Sequence, residues 1–273
     1  MSIKQATTNI LLVFGIFLIV AVAVQASTTV LVMGNTSAGE NQPGWMFNRD
    51  ASTSTPYTFN TAQTSIGVGS LYVLPIGSTA ANKFVGENFI NTPVADVDSI
   101  SYDYMIGAGG DASDDSQFYM NVYANFGESD DLKFYDCRYA VIPTVGSTSG
   151  FTTVTFDPTQ AYPVTTRGGA SASPYTCPAV PADMDLLSAG SNIRMFALNV
   201  GDTSLSDVGL DGYLDNVVVT INGSTTTYDF EPAVTPLSRE ECKEDGWMLF
   251  NSPTFKNRGE CVSYIQANEH AGK

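Results

Sequence analysis

The stretch SISYDYMI (residues 99–106) places a large apolar or aromatic residue at every second position, and QFYMNVYANF (residues 117–126) repeats this alternation. In an extended chain such residues point to one face of the strand. The residues that would share a face are Ile100, Tyr102, Tyr104 and Ile106 in the first stretch, and Phe118, Met120, Val122, Ala124 and Phe126 in the second. A period of two with one apolar face is typical of a half-buried β-strand. If the two strands pair with each other, they form a hairpin with residues 111–115 at its tip.

Similar short runs rich in Val, Ile, Phe, Tyr and Thr recur along the chain, separated by Gly, Asp, Asn, Pro and Ser. They occupy residues 57–60, 70–74, 133–140, 151–156, 192–200 and 213–221. No long helical periodicity interrupts them, so the pattern predicts many antiparallel strands. The fold class that follows is all-β: an antiparallel β-sandwich in which two sheets pack their apolar faces together.

Asp215 has an unusual place in this pattern. Alternation over residues 213–221 groups Asp215 with Tyr213, Val217 and Val219 on one apolar face. A carboxylate on an apolar face is costly unless it is hydrogen-bonded or bound to a metal. We therefore expect Asp215 to be buried, and either bonded to loop amides or bound to a cation.

The chain is strongly acidic, because 28 Asp and Glu against 12 Lys and Arg give a formal charge of −16. Such a field repels phosphate groups, so nucleic acids and anionic membrane surfaces are poor partners. It favours cations and neutral or basic partners, or it serves solubility alone. Thirteen Tyr, fifteen Phe and two Trp exclude a disordered acidic tail as the description of the whole chain.

The first 26 residues have the organisation of a secretory signal peptide. Lys4 precedes an apolar run over residues 10–24, which is followed by Gln25 and the small residue Ala26. This run is shorter than the ~20 apolar residues that span a bilayer. We expect cleavage after Ala26, with an uncleaved anchor as the alternative, and no further membrane span. The protein is therefore expected to be secreted or held at the cell surface.

Four cysteines follow the expected cleavage site, at Cys137, Cys177, Cys242 and Cys261. An even number in an oxidising compartment predicts two disulfides. Of the three possible pairings we expect Cys137–Cys177 and Cys242–Cys261, because each pair lies within one predicted domain. Free thiols or a zinc site are the alternatives, but the chain has no CxxC spacing and a single His.

The predicted organisation is a signal peptide over residues 1–26, a β-sandwich over 28–231, a linker over 232–237 and a C-terminal module over 238–273. Within the module, Ser238 and Glu241 have the spacing of a capping box, which predicts a short helix before Gly246. A second short helix is expected over about residues 259–268. So small a module buries little apolar surface, and we expect a disulfide to stabilise it.

Nucleophilic or zinc-based catalysis has no candidate centre in this sequence. The single histidine, His270, lies close to the C-terminus, and there is no HExxH, GxSxG or phosphate-binding glycine motif. Carboxylate chemistry remains, since glycosidases use two acids at a fixed separation. A strand of the form Glu-x-Asp-x-x-Glu is absent. We expect a protein that is not an enzyme. A glycoside-active enzyme ranks third, after two kinds of non-catalytic protein.

Acidic clusters make Ca²⁺ the one cofactor that the sequence suggests. The candidate ligands are Asp111, Asp114 and Asp115 in one turn, with Asp211 and Asp215 before and within the last alternating strand. Ca²⁺ takes six to eight oxygen ligands from carboxylates and loop carbonyls, and weak sites suit the extracellular space. Ordinary solvated acidic loops are the alternative interpretation of each cluster.

Trp45, Tyr119, Tyr123 and Asn125 are the candidates for direct contact with a ligand. The last three alternate with the apolar residues of their strand, so they would lie on the second face of its sheet. Sugar rings stack on exposed aromatic side chains, and Asn fixes hydroxyl groups. The alternative is that these aromatic residues are structural, either in the core or covered by another layer.

Two segments resemble known families. GYLDNVVV (residues 212–219) followed by TTYDFE (residues 226–231) resembles the closing strands of jelly-roll domains in secreted bacterial proteins, including carbohydrate-binding modules and lectins. CKEDGW (residues 242–247) with FKNRGECVSY (residues 255–264) resembles a small C-terminal module of exported bacterial proteins that has no known activity.

The first resemblance implies a jelly-roll sandwich with a non-catalytic function. The implied partner is a glycan or another component of the cell envelope, with calcium as a possible stabilising ion. A structural or adhesive surface protein without a small ligand is the main alternative. The glycan and the oligomeric state do not follow from the sequence.

Overall fold

The computed structural model describes residues 26–39, 42–47, 57–76, 84–111, 117–126, 135–143, 146–167, 177, 191–201 and 208–271. The strands in these ranges are β1 Ser27–Val32, β2 Tyr57–Asn60, β3 Ser70–Val73, β4 Phe84–Pro93, β5 Val97–Ile106, β6 Phe118–Phe126, β7 Cys137–Val141, β8 Thr152–Phe156, β9 Val164–Thr166, β10 Ser191–Val200, β11 Gly212–Ile221 and β12 Ser224–Phe230. One α-helix, α1 Arg258–Ala271, and 3₁₀ turns at Val94–Asp96 and Gly246–Leu249 complete the described structure. Apart from Ala26, the proposed signal peptide lies outside these ranges, as do Asp114 and Asp115.

The strands form two sheets. In the seven-stranded sheet, β11 pairs with β5 on one side and with β3 and β12 on the other, while β2, β1 and β8 extend β3, β12 and β5. The five-stranded sheet has the order β4–β10–β6–β7–β9. β1 runs parallel to β12, and the other pairs between described strands are antiparallel. The mostly β, two-sheet architecture predicted from alternation is therefore present.

β5 and β6 do not form a hairpin with each other. β5 belongs to the seven-stranded sheet and β6 to the five-stranded sheet, so the chain crosses between sheets after Ile106. The two strands meet across the core instead, where the Tyr102 hydroxyl donates to the carbonyl of Phe118 at 3.1 Å. Alternation specifies which face of a strand is buried, but it does not specify the partner strand.

One hydrophobic core lies between the sheets. The predicted inward residues Ile100, Tyr102, Tyr104 and Ile106 are at most 2 % exposed, and Phe118, Met120, Val122 and Ala124 at most 1 %. An aromatic cluster around Trp45 joins the two sheets, because its ring contacts both Phe196 of β10 and Phe230 of β12. Fully burying each large side chain contributes about 1.5–3 kcal/mol to stability.

A β-bulge in β11 changes which residues of this strand face the core, so the predicted face of Asp215 is wrong. The register of β11 against β5 shifts between Asp215 and Val218, and Asn216 has a left-handed φ of 47°. Because of this extra residue, Leu214 and Val217 both point into the core. Asp215 instead faces the opposite side of the sheet, away from the apolar face on which alternation placed it.

Four strands, β1, β4, β9 and β12, have no counterpart among the runs identified by alternation, although β12 falls in the segment TTYDFE that carries the family resemblance. β4 is the edge strand of the five-stranded sheet, and its sequence FVGENFINTP does not alternate between apolar and polar residues. β9 has only three residues. β1 precedes the first run that alternation identifies, and most of its side chains are exposed.

The C-terminal module has its own small core, built on Cys242, Phe250, Cys261 and Ile265. Both expected disulfides are present, Cys137–Cys177 and Cys242–Cys261. Asn251 connects the module to the predicted linker, since its Oδ1 accepts from the Val234 amide at 2.7 Å and its Nδ2 donates to the carbonyl of Pro232 at 2.9 Å.

The prediction of two helices in this module is half right. The expected second helix is present as α1, but residues 239–245 form turns. The Ser238 hydroxyl donates to Glu241 instead of accepting a backbone N–H, so it does not cap a helix. Glu244 and Asp245 then adopt left-handed φ values of 47° and 66°, which end the segment before a helix can propagate.

Among the described residues, no helix combines the length and the apolar character needed to cross a membrane.

Candidate functional site

The five-stranded sheet has a second face that points away from the core, here called the outer face. Strand register places one row across all five strands, consisting of Phe89, Met195, Tyr123, Arg138 and Thr165. A second row consists of Glu87, Ala197, Asn121 and Ala140. Directly paired residues point to the same side of a sheet, and both rows alternate with core residues. The outer face therefore presents aromatic, amide and charged side chains together.

Three asparagines form a buried polar floor on the outer face. Asn121, Asn125 and Asn199 are 4 %, 6 % and 6 % exposed. The Asn199 amide nitrogen donates to the carbonyl of Ala197 at 3.1 Å, whereas Oδ1 of Asn125 has no hydrogen-bond partner. A buried amide oxygen without a donor is an acceptor available to a ligand hydroxyl. Asn125, a sequence-predicted contact residue, thus carries an unused hydrogen-bonding group.

Three tyrosines, Tyr119, Tyr123 and Tyr135, lie next to these asparagines on the outer face. The rings of Tyr123 and Tyr135 pack edge to face with centroids 4.9 Å apart, and Tyr119 lies four residues before Tyr123 on the same face of β6. All three tyrosines are half-buried. Burial raises the pKa of Tyr123 to about 12, partly opposed by the positive charge of Arg138. Tyr123 therefore keeps its hydroxyl proton at physiological pH and can donate it in a hydrogen bond.

Arginines flank the aromatic rings. The guanidinium carbon of Arg167 lies 5.2 Å from the centroid of the Tyr135 ring, and that of Arg194 lies 5.4 Å from the centroid of the Phe89 ring. Arg138 pairs with Tyr123 in the strand ladder. The sequence analysis did not select these residues. One feature of the sequence could have singled them out: basic residues are scarce in a chain with a formal charge of −16.

Trp45 does not belong to the outer face. It is fully buried, with ring contacts to Phe47, Phe196, Tyr228 and Phe230. Its predicted role in stacking on a ligand needs an exposed ring, and no part of this ring is exposed. Trp45 is therefore a structural residue of the core, which was the alternative interpretation of the aromatic residues.

The predicted calcium ligands that the structure describes, Asp111, Asp211 and Asp215, are not gathered into one site. Asp111 is exposed, whereas Asp211 accepts hydrogen bonds from the Tyr72 hydroxyl at 2.7 Å and the Gly109 amide at 2.8 Å. Among the described residues, no group of three or more His, Cys, Asp or Glu side chains is arranged to hold a metal ion. Asp114 and Asp115 lie outside those residues, so calcium near Asp111 stays a prediction.

Asp215 binds loop amides, which is one of the two alternatives expected for it. Its Oδ2 accepts from the amides of Ser65 and Ile66 at 2.9 and 3.0 Å, and its Oδ1 accepts from Phe230 at 3.2 Å. Asp103 lies opposite Asp215 on β5 and accepts from the side chains of Ser65, Thr153 and Asn216. These carboxylates hold the loop over residues 61–69 against the seven-stranded sheet.

A second carboxylate pair, Asp229 and Glu231, lies under the same loop and was not selected from the sequence. The two side chains are 6 % and 3 % exposed and hydrogen-bond to each other. Glu231 Oε1 also accepts from the Val68 amide at 2.6 Å. A Cβ on Gly67 would lie 1.8 Å from that oxygen, so only glycine fits where the loop crosses. Burial, followed by the charges of Glu231 and Asp215, raises the pKa of Asp229 to about 7.

An open cleft of about 270 Å³ lies beside strands β7 and β8. It is lined by Val141, Ile142, Pro143, Thr152, Thr153, Val154, Thr155 and Tyr162. This lining contains no ionisable carboxylate and no basic side chain. The cleft therefore offers fewer orienting groups than the outer face.

No family model matches the chain, and no curated protein matches it. Solved structures with a similar fold are carbohydrate-binding modules and candidate glycoside hydrolases. A xylan-binding domain of carbohydrate-binding module family 22 from Paenibacillus barcinonensis matches 72 % of this chain and 96 % of its own, with 13 % identity and a TM-score of 0.36.

Two further solved structures are similar to the same extent. A carbohydrate-binding module of family 4 has 13 % identity over 68 % of this chain and 92 % of its own, with a TM-score of 0.33. A candidate glycoside hydrolase from Bacteroides vulgatus has 10 % identity over 68 % of this chain and 88 % of its own, with a TM-score of 0.34. The class of carbohydrate-binding modules that the closing strands resemble is thus found among the structural neighbours.

Proposed function

We propose that the protein is an exported, non-catalytic jelly-roll binding protein that recognises a glycan on the outer face of its five-stranded sheet. The observation that supports this most is the unused Oδ1 of Asn125 in a buried asparagine floor beneath half-buried tyrosines. Sugars offer a C–H face that stacks on aromatic rings and hydroxyls that pair with amides. Tyr119, Tyr123 and Asn125 supply both kinds of contact within one strand.

The charges of the described residues argue against glycoside hydrolysis at this face. Its two acids, Glu87 and Asp136, lie three strands and about four residues apart in the ladders. A strand spacing of about 4.8 Å and a rise of about 3.3 Å per residue separate their Cα atoms by about 20 Å. Glycosidases hold their two carboxyl groups about 5–9.5 Å apart. This separation supports a binding role for the face and no hydrolytic one.

The paired carboxylates under the 61–69 loop are also unsuited to hydrolysis. Asp229 and Glu231 hydrogen-bond directly to each other and are nearly fully buried. A glycosidic bond has to fit between the two catalytic acids. No sugar fits between two carboxyls that are already in contact, so this pair supports a structural role.

The test is retention of the mature protein, residues 27–273, on a panel of immobilised neutral and acidic polysaccharides. We expect selective, saturable retention on at least one polymer. Tyr123→Ala should weaken this retention by about tenfold, because stacking on its ring is lost. Tyr213→Ala is the matched control, since Tyr213 is a half-buried tyrosine of the seven-stranded sheet that stacks on Tyr72.

The panel separates the alternatives. No retention on any polymer, or an equal loss in both variants, would contradict glycan binding at the outer face. The first of these results would favour a structural or adhesive surface protein. Loss of retention in chelator would place a calcium ion in the binding-competent state, and release of sugar from any polymer would show an enzyme.

A further inference from the structure

The basic residues that the structure describes in the sandwich are concentrated at the outer face. Within the described part of residues 26–231 there are three, Arg138, Arg167 and Arg194, and each lies on the outer face or its rim. The same face carries two described acids, Glu87 and Asp136, so its described residues have a formal charge of +1. The complete chain has a formal charge of −16. The outer face is thus the one described surface of the sandwich whose formal charge opposes that of the chain.

Among the described residues, these arginines have no carboxylate partner. The ion pair found between described residues joins Lys243 and Glu240 in the C-terminal module, and no described carboxylate pairs with Arg138, Arg167 or Arg194. Nη1 of Arg167 and Nε of Arg194 are both buried without a hydrogen-bond acceptor. A guanidinium cannot lose its proton at physiological pH, so a buried donor of this kind calls for an acceptor. The structure contains two such donors on one face.

Both guanidinium groups that contain these buried donors lie over an aromatic ring. Arg167 lies over the Tyr135 ring and Arg194 over the Phe89 ring. Stacking occupies the flat faces of a guanidinium, while its N–H donors point outward in the plane. That planar fork matches a carboxylate in a bidentate pair.

Arg138 belongs to the first row, and the guanidinium of Arg194 lies over the ring of Phe89 at one end of that row. In this row, which also contains Met195 and Tyr123, Phe89 is three strands away from Arg138. A spacing of about 4.8 Å per strand puts their Cα atoms about 14 Å apart. A ligand lying across the strands would therefore meet an arginine on either side of the tyrosines.

We propose that the glycan bound at the outer face is acidic, and that Arg138, Arg167 and Arg194 bind the carboxylates of its uronic acid residues. This inference rests on the proposed function, because it names the class of glycan that the same face would take. The tyrosines stack on the sugar rings, the asparagines bind hydroxyls, and the arginines supply selectivity for charge. The repulsion between a polyanion and the rest of the acidic chain confines binding to this face.

The test compares oligogalacturonate with the same oligomer after full methyl esterification, which removes the charge and keeps the sugar backbone. Titration calorimetry with the mature protein should show binding of the acid form at least about tenfold tighter than of the ester. Arg194→Gln and Arg138→Gln should each weaken binding of the acid form by about tenfold and weaken binding of the ester by a smaller factor. Arg258→Gln removes the same charge from the exposed start of α1 and should have no effect.

A conservative variant and a fold check keep the test decisive. Arg194→Lys keeps the charge but loses the planar fork, so we expect it to bind the acid form more weakly than the native chain. Circular dichroism and the thermal midpoint identify any variant that fails to fold. If Arg194→Gln does not fold, the inference is tested through Arg138→Gln alone.

The outcomes separate this inference from the proposed function. Equal affinity for acid and ester would overturn the acidic-glycan inference and leave glycan binding intact. Equal binding of dextran sulfate and oligogalacturonate would show unselective capture of polyanions, and would also overturn it. Binding of a neutral polysaccharide alone would also overturn the acidic-glycan inference. No binding to any glycan would overturn both proposals.

Discussion

Asp229 is the residue whose ionisation should matter most for stability. Its pKa is raised from the ordinary value of 3.8 to about 7 by burial and by the nearby carboxylates of Glu231 and Asp215. The folded chain therefore holds this proton more tightly than the unfolded chain between about pH 4 and pH 7. By linkage, the contribution of Asp229 to stability is full at acidic pH and falls as pH rises through that window. One pKa unit corresponds to about 1.4 kcal/mol.

Asp229→Asn should remove the loss of stability that accompanies rising pH, because an amide stays neutral and can still donate to Glu231. We expect the free energy of unfolding at pH 8 to rise by about 1–4 kcal/mol, and its decline between pH 4 and pH 8 to flatten. Urea denaturation at several pH values measures both. Asp98→Asn is the control, since Asp98 is exposed and accepts the Gly223 amide at 2.7 Å. An unchanged pH slope in Asp229→Asn would contradict the raised pKa of Asp229.

At the scale of single residues, sequence reasoning reached part of the candidate site. Tyr119, Tyr123 and Asn125 follow from alternation in one strand, and the structure places them on the outer face. Arg167 and Arg194 could not be found this way, because their guanidinium groups reach the face from a loop and from a bulge. Asp229 and Glu231 are brought together only by the crossing of the 61–69 loop.

The bulge in β11 is the element that positions the buried carboxylates. Asn216 occupies the left-handed region at φ 47°, and its Nδ2 donates to Asp103 at 2.9 Å. The bulge turns Asp215 toward the loop while it keeps Val217 in the core. The sequence alternates smoothly through this position, so periodicity alone puts Asp215 on the wrong face.

Substitutions at Asn216 test the role of backbone conformation in this element. Asn216→Gly keeps access to positive φ and loses one hydrogen bond, which should cost about 1 kcal/mol. Asn216→Val loses the same bond and adds a β-branched side chain in the left-handed region, so it should cost about 1–2 kcal/mol more than glycine. Chemical denaturation of both variants measures the difference. Equal stability of the two variants would show that the bulge can move to another residue.

Strand faces were predictable because burial imposes a period of two, and β5 and β6 show the predicted inward residues. Strand partners were not predictable, because two half-buried strands carry the same pattern whether they pair side by side or pack face to face. The short strand β9 and the edge strand β4 lack a clear period. Their existence depends on neighbours that pair with them.

At the scale of the whole molecule, the sandwich and the C-terminal module have separate hydrophobic clusters. The Cys242–Cys261 disulfide closes a segment with a sequence separation of 19 and is the main covalent constraint on the module. Closing such a loop is worth about 3 kcal/mol, which is large for a cluster of so few residues.

The Cys242→Ala, Cys261→Ala double variant should therefore lose the structure of the module and leave the sandwich folded. We expect rapid proteolysis within residues 238–273 and a thermal midpoint of the sandwich within a few degrees of the native value. Limited proteolysis and calorimetry give the two readouts. A large fall in the midpoint of the sandwich would show that the two units are stabilised as one.

The measurement that tests the central claim most directly is amide shift mapping by NMR, with fragments of whichever polysaccharide retains the protein. Binding on the outer face predicts shifts concentrated in β6 and β7, over Tyr119, Tyr123, Asn125 and Arg138, with little change in the seven-stranded sheet. Shifts confined to the cleft at Ile142 and Thr153, or to the loop over residues 61–69, would contradict the assignment of the outer face as the binding site.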